Sequence, residues 1–185
     1  GALGLATRSV PADTGAGLDQ RTRDALVAAL DDERRAQATY RAVMDRFGQV
    51  MTFRNIIRAE ARHEAMLLPL FEKYGVPVPE NTWKANVVEA PETLAAAYQQ
   101  GIEAEKANIA MYDRFLGFVK EADIRAVFEY NRAASADHHL RAFERFAAGG
   151  GKGPGMGNGP GNGRCCQGGP ARAGNGPQGR CCGAQ

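Results

Sequence analysis

A glutamate and a histidine three residues apart, inside an otherwise apolar helical stripe, constrain this chain more than any other feature. The stripe runs Ile56, Glu60, His63, Leu67, Leu70, Tyr74, in alternating steps of four and three. Residues three and four apart share a helix face, so this spacing places Glu60 and His63 among the core-facing positions. A buried carboxylate or imidazolium without a partner is costly. The pair therefore requires compensation from elsewhere in the chain, and a metal ion is the economical form of it.

Three further stripes repeat the pattern. The first helix, from about residue 19 to 47, reads Leu26, Leu30, Glu33, Gln37, Tyr40, Met44, Phe47, and Gly48 stops it. The second runs from about Phe53 to Tyr74 and contains Pro69, which removes one backbone donor and should bend it. Gly75-Val-Pro-Val-Pro breaks the pattern. The connection to about Ala90 is long for a bundle and suits a crossover, with Pro91 as the first residue of the third helix. That helix reads Leu94, Tyr98, Ile102, Glu105, Ile109, Tyr112, Leu116, Val119. A fourth, from about Ala122 to Gly149, reads Ile124, Phe128, Asn131, Ser135, His139, Phe143, Phe146. Strand signals are absent. The expected fold is all-α, an antiparallel four-helix bundle over residues 18–148 with a long crossover between helices 2 and 3.

The flanks differ. Residues 1–17 read as a flexible N-terminal segment. Its first six residues suit the remnant of a signal peptide, and thus a periplasmic or extracellular protein, with a cytoplasmic one as the alternative. From residue 149 to 185 the chain turns to Gly, Pro, Asn, Gln and Arg, with too little apolar surface to offset its own ordering entropy. All four cysteines stand there as the pairs Cys165-Cys166 and Cys181-Cys182. They suit disulfides between the motifs or between chains, hence self-association, or capture of a soft ion such as copper(I) or zinc; an inert tail is the third reading.

Charge excludes some functions. The net charge is +2, and the tail holds four basic residues and no acid, so the rest carries about −2 by subtraction. There is no concentrated basic face of the kind that binds nucleic acid, and no apolar run long enough to span a membrane.

Helices 1 and 3 echo each other: Tyr40 follows Glu33 by seven residues, and Tyr112 follows Glu105 by seven. Helices 2 and 4 echo through His63 and His139. A bundle of two related hairpins would gather Glu33, Glu60, His63, Glu105 and His139 at mid-height as metal ligands, with Tyr40 and Tyr112 hydrogen-bonding the ligand carboxylates. Carboxylates with imidazoles suit iron, manganese or zinc. Glu103 falls off the stripe, His138 points elsewhere, and Glu64, Glu72, Lys106 and Arg141 read as a solvated face.

These motifs resemble the ferritin-like superfamily, and within it the domain of unknown function 2202 family, over residues 19–147. Asp-Asp-Glu33-Arg-Arg-Ala-Gln-Ala-Thr-Tyr40 is similar to the family's first-helix motif, and the stretch from Asn55 to Gly75 to its second. The segment from Ile102 to Ile109 resembles the third, and His139-Leu-Arg-Ala-Phe143 the fourth. The resemblance implies a dinuclear centre, usually of iron, that reacts with oxygen or peroxide or oxidises Fe(II). Complete diiron sites carry a second Glu-x-x-His on the fourth helix, and here that acid is replaced by Ala136; Asp137 lies about 100° around the helix. The expected activity is ferroxidase- or peroxidase-like. The alternatives are metal sequestration without turnover, and a structural role in which the Gly-rich tail assembles chains.

Overall fold

The computed structural model describes residues 17–83 and 87–149, and among them every regular element is helical. Helix α1 spans Gln20–Phe47, α2 Met51–Lys73 and α3 Leu94–Leu116. A fourth rod is built from α4 (Ala122–Ala134), one π-helical turn (Ser135–His139) and α5 (Leu140–Ala148). The four cysteines and the expected tail and N-terminal segment lie outside the described residues, apart from Gly17 and Gly149.

The helix ends follow local chemistry. The Asp19 carboxylate accepts the Thr22 N–H at 2.7 Å, fixing the start of α1. Gly48 ends it with φ of +81°, a conformation open to glycine, and donates its N–H to Met44. Helix α2 continues through Pro69, which is exposed. The third helix begins three residues later than Pro91. Thr93 Oγ1 accepts the Ala96 N–H at 3.1 Å, and a hydroxyl cap satisfies a free donor in a way a proline ring does not. The same helix stops at Leu116 rather than continuing to Val119, which is nonetheless buried.

The fourth rod departs furthest from the expected uninterrupted helix. Its buried residues run Ile124, Phe128, Asn131, Ser135, His139, Phe143. From Asn131 to Phe143 the steps are three consecutive fours. On an α-helix each step of four overshoots a full turn by about 40°, so three would carry Phe143 roughly 120° off the face. The π turn, closed by the Leu140 N–H on the Ser135 carbonyl, spreads its turn over more residues and absorbs the excess. Asn131, Ser135, His139 and Phe143 all stay inward.

Side-chain pairings give the course of the helices. Between α1 and α2, Arg34 meets Glu64 and Tyr40 meets Phe53; between α1 and α3, Glu33 meets Tyr112 and Tyr40 meets Glu105. Between α3 and the fourth rod, Asp113 meets Arg132 and Tyr98 meets Phe146. In each pair one number rises as the other falls, so the partners run antiparallel. The connection after α2 lies against α1, where Arg34 donates to the Pro79 carbonyl at 2.8 Å and Trp83 Nε1 to Asp31 at 2.7 Å.

The core comes in two apolar blocks. One holds Leu26, Leu30, Leu67, Phe71, Ile124 and Phe128; the other holds Val43, Phe53, Ile56, Tyr98, Ile102 and Phe143. Each fully buried large side chain contributes about 1.5–3 kcal/mol. Along every helix the buried acids and histidines fall between the two blocks. The apolar ends thus hold together a polar layer that would not be stable by itself.

Candidate metal centre

All five residues singled out by the stripes meet in that layer, and none is more than 4% exposed. Glu60 is at the middle. Its Oε2 lies 2.7 Å from His63 Nδ1 and its Oε1 lies 3.1 Å from His139 Nδ1, so one carboxylate serves both imidazoles. Each imidazole has a second carboxylate behind it: Glu33 Oε2 at 3.2 Å from His63 Nδ1, and Glu105 Oε2 at 3.5 Å from His139 Nδ1. The two rings stack with centroids 5.5 Å apart. Glu60, His63 and His139 each offer a ligand atom within 4.8 Å of the others, a buried group that could hold a metal ion.

The outer carboxylates are fixed crosswise by tyrosines. Tyr40 of α1 donates to Glu105 Oε1 of α3 at 2.7 Å, and Tyr112 of α3 donates to Glu33 Oε1 of α1 at 2.6 Å. The seven-residue echo in the sequence is therefore a reciprocal exchange between two helices. In both glutamates Oε1 receives the tyrosine while Oε2 is turned to a histidine.

Three polar residues of the layer escaped assignment from sequence. Asn131 donates to Tyr112 Oη at 3.0 Å and to Glu33 Oε1 at 3.4 Å, and Ser135 donates to Asn108 Oδ1 at 2.9 Å. Asn131 and Ser135 were visible as polar positions on the fourth stripe. Asn108 was hidden, because the even stripe points to its neighbour Ile109, which is only half-buried. One turn before His139 the fully buried residue is Ser135; Ala136 is half-buried, and Asp137 and His138 are exposed. Glu64 is no solvated acid either. It accepts from Arg34 Nε and Gln37 Nε2, both at 2.8 Å.

Electrostatics reflect crowding in a buried layer. Burial, reinforced by the Glu60 charge, pushes the Glu33 carboxyl up to about 8. Burial acts the same way on Glu60 but is outweighed by the two imidazoles, which bring it down to about 2. Burial would lower both histidines. Hydrogen bonds to Glu33 and Glu60 instead raise His63 to about 9, and the nearby carboxylates of Glu105 and Glu60 raise His139 to about 10. Without a metal, protons on the imidazoles hold the carboxylates together.

The donor set fits a metal in two respects. Three carboxylates and two imidazoles form a hard-to-borderline set of the kind that takes iron, manganese or zinc. His139 Nδ1, although near two carboxylates, is buried with no hydrogen bond of acceptable geometry. A buried nitrogen in that condition needs a reason, and a coordinated cation would supply it.

Two cavities reach the layer. One, of about 310 Å³, opens between α1 and α3 onto Glu60 and Glu105 and is bordered by Asp32 and Glu103. The other, of about 400 Å³, opens between α2 and the fourth rod onto His63 and His139.

A family model described as an uncharacterized protein domain, DUF2202, matches residues 22–152. The chain is also similar to the crystal structure of a hypothetical protein from Methanococcus jannaschii DSM 2661. The two share 22% identity with a TM-score of 0.66, over 72% of this chain and 83% of that one, and at this identity the likeness is one of fold. No curated protein matches the chain.

Proposed function

We propose that this chain, which belongs to the DUF2202 family of uncharacterized domains, is a ferritin-like protein that holds a pair of iron ions on Glu33, Glu60, His63, Glu105 and His139 and oxidises Fe(II). The observation that carries this reading is the position of Glu60, with one oxygen on each of two histidines and a second carboxylate behind each histidine. One half of the centre would be Glu33 with His63 and the other Glu105 with His139, with Glu60 shared. The antiparallel pairings also support a ferritin-like course. If α1 opposes both α2 and α3, then α2 and α3 point the same way, and the segment between them must cross the length of the bundle.

Bound iron would supply the one-electron couple that no side chain of the layer provides. The chain's own residues orient and insulate. Tyr112 and Tyr40 hold one oxygen of each outer carboxylate and leave the other for the metal, and Asn131 fixes Tyr112 in turn. Partners of this kind typically account for 10–100-fold in metal affinity. A second reading, storage without turnover, is favoured by one feature: the inward residue before His139 is Ser135, so the centre has five donors and no acid opposite Glu60.

Elemental analysis of protein loaded anaerobically with Fe(II) should find about two ions per chain, and admission of air should produce rapid oxygen uptake. Two bound ions without oxygen uptake would favour storage. No bound transition metal at all would remove the proposal. Loading also has a proton signature. His63 and His139, raised to about 9 and 10, carry protons at pH 7 and must lose them to bind metal. An indicator dye should therefore record release of roughly two or more protons per chain, and affinity should fall as the pH is lowered.

A further inference from the structure

The 400 Å³ cavity between α2 and the fourth rod differs from the other opening in charge. Its inner wall is the pair His63 and His139, and its sides include Ile56, Ala59, Ala142 and Phe146. Arg62, Arg145 and His138 are exposed at its edge, and no acidic residue lines it. Neither arginine takes part in an ion pair among the described residues. The cavity between α1 and α3, by contrast, is lined by four acidic residues, Asp32, Glu60, Glu103 and Glu105, and by one basic residue, Arg35, which pairs with Asp32.

Apolar side chains gather here as well. Four large hydrophobic residues are well exposed among the described residues, and two of them, Met51 and Tyr130, border this cavity. Tyr130 stands edge-on to the His63 ring with centroids 6.0 Å apart, so it covers the approach to that imidazole from the side. A guanidinium edge with no competing carboxylate attracts an anion. Walls of isoleucine, alanine and phenylalanine exclude the hydrated part of one and accept a hydrocarbon stem. The volume lies at the lower end of the range for small-molecule sites. A free cation is disfavoured at this mouth.

We propose that this cavity binds a small amphipathic carboxylate, its head against Arg62 and Arg145 and its hydrocarbon stem directed between Ile56 and Ala142 toward the two histidines. This goes beyond the metal reading and does not depend on it, because neither arginine belongs to the five-residue centre.

Octanoate is a suitable probe, with octanamide and octylamine as its neutral and cationic counterparts, titrated into the full chain by calorimetry. Octanoate should bind at one site per chain, octanamide about tenfold more weakly or worse, and octylamine not at all. Arg62→Gln with Arg145→Gln should reduce octanoate affinity about tenfold or more, leave octanamide unchanged, and leave metal content by elemental analysis at its wild-type value. Ala142→Phe, which fills the apolar side, should block octanoate and octanamide alike. Equal affinity for octanoate and octanamide would overturn the proposal, as would undiminished octanoate binding in the arginine variant or no binding at millimolar concentration. Each of these results would leave the metal centre standing, and an empty metal centre would leave octanoate binding intact.

Discussion

Glu60→Ala is expected to empty the proposed centre entirely, whereas His63→Ala and His139→Ala should each remove about one metal ion of two. Glu60 alone touches both histidines, at 2.7 and 3.1 Å, while Glu33 and Glu105 each touch one. The metal-free protein should suffer too. Removing one partner of a buried ion pair costs about 3–5 kcal/mol, because the charge left behind has no solvent. Relief of Glu33 works in the other direction, since the Glu60 charge is one of the two main causes of its raised pKa. The lower end, about 3 kcal/mol, is therefore expected, or a fall in melting temperature of roughly 6–12 °C at this chain length. Because burial, Glu33 and Glu105 remain, Glu60→Gln should keep the shape yet lose the shared charge and most of the metal. Metal content in Glu60→Ala equal to that of His63→Ala would show that the two halves do not share this ligand.

Much of this arrangement is legible in the sequence because the polar residues interrupt otherwise regular stripes. Glu33, Glu60, Glu105 and His139 each stand where the step pattern demands an inward residue, and all four are buried. The tyrosines were legible through their seven-residue spacing, although not the crosswise partners it produces. What remained hidden had specific causes. Glu64 lies off the stripe, and the approach of Arg34 and Gln37 from α1 brings it under cover. Asn108 also lies off the stripe, and its partners Ser135 and Asp32 come from other helices. Helix 3 begins at its threonine cap because a side-chain acceptor decides a helix start more directly than a favourable proline φ.

The π turn occupies a middle position. Nothing in the composition of Ser-Ala-Asp-His-His marks it, yet the steps Asn131, Ser135, His139, Phe143 already contain it. Three consecutive fours are incompatible with one face of an α-helix. The run was readable as a demand for an extra residue per turn, and the structure places that residue in the turn Ser135–His139. Its consequence for the centre is direct. Without it, His139 and Phe143 would rotate away from Glu60 and from the aromatic cluster beneath.

That cluster sets the second large effect, at Gly101. A Cβ on this residue would lie 2.8–2.9 Å from three carbons of the Phe143 ring. The ring has nowhere to retreat: Tyr40, Phe53 and Tyr98 surround it with centroids 5.3, 5.2 and 6.3 Å away, and it is fully buried. Helix propensity alone says that Gly101→Ala should stabilise α3 by about 0.5–1 kcal/mol. Overpacking a dense core costs about 1–3 kcal/mol, occasionally more, so the sign should be reversed. Gly101→Val adds two further carbons and should cost about 3 kcal/mol or more, a fall in melting temperature of roughly 6–12 °C. The effect should also reach the proposed metal centre, since Phe143 lies one turn beyond His139 and a displaced ring pushes on the same rod. Metal content after loading should fall toward that of His139→Ala. Phe143→Leu in the Gly101→Ala background makes room for the new methyl group, and the double variant should be more stable than the sum of the two single changes by at least about 1 kcal/mol. A melting temperature raised by Gly101→Ala, or strict additivity in that cycle, would mean that α3 and the fourth rod do not approach through this glycine.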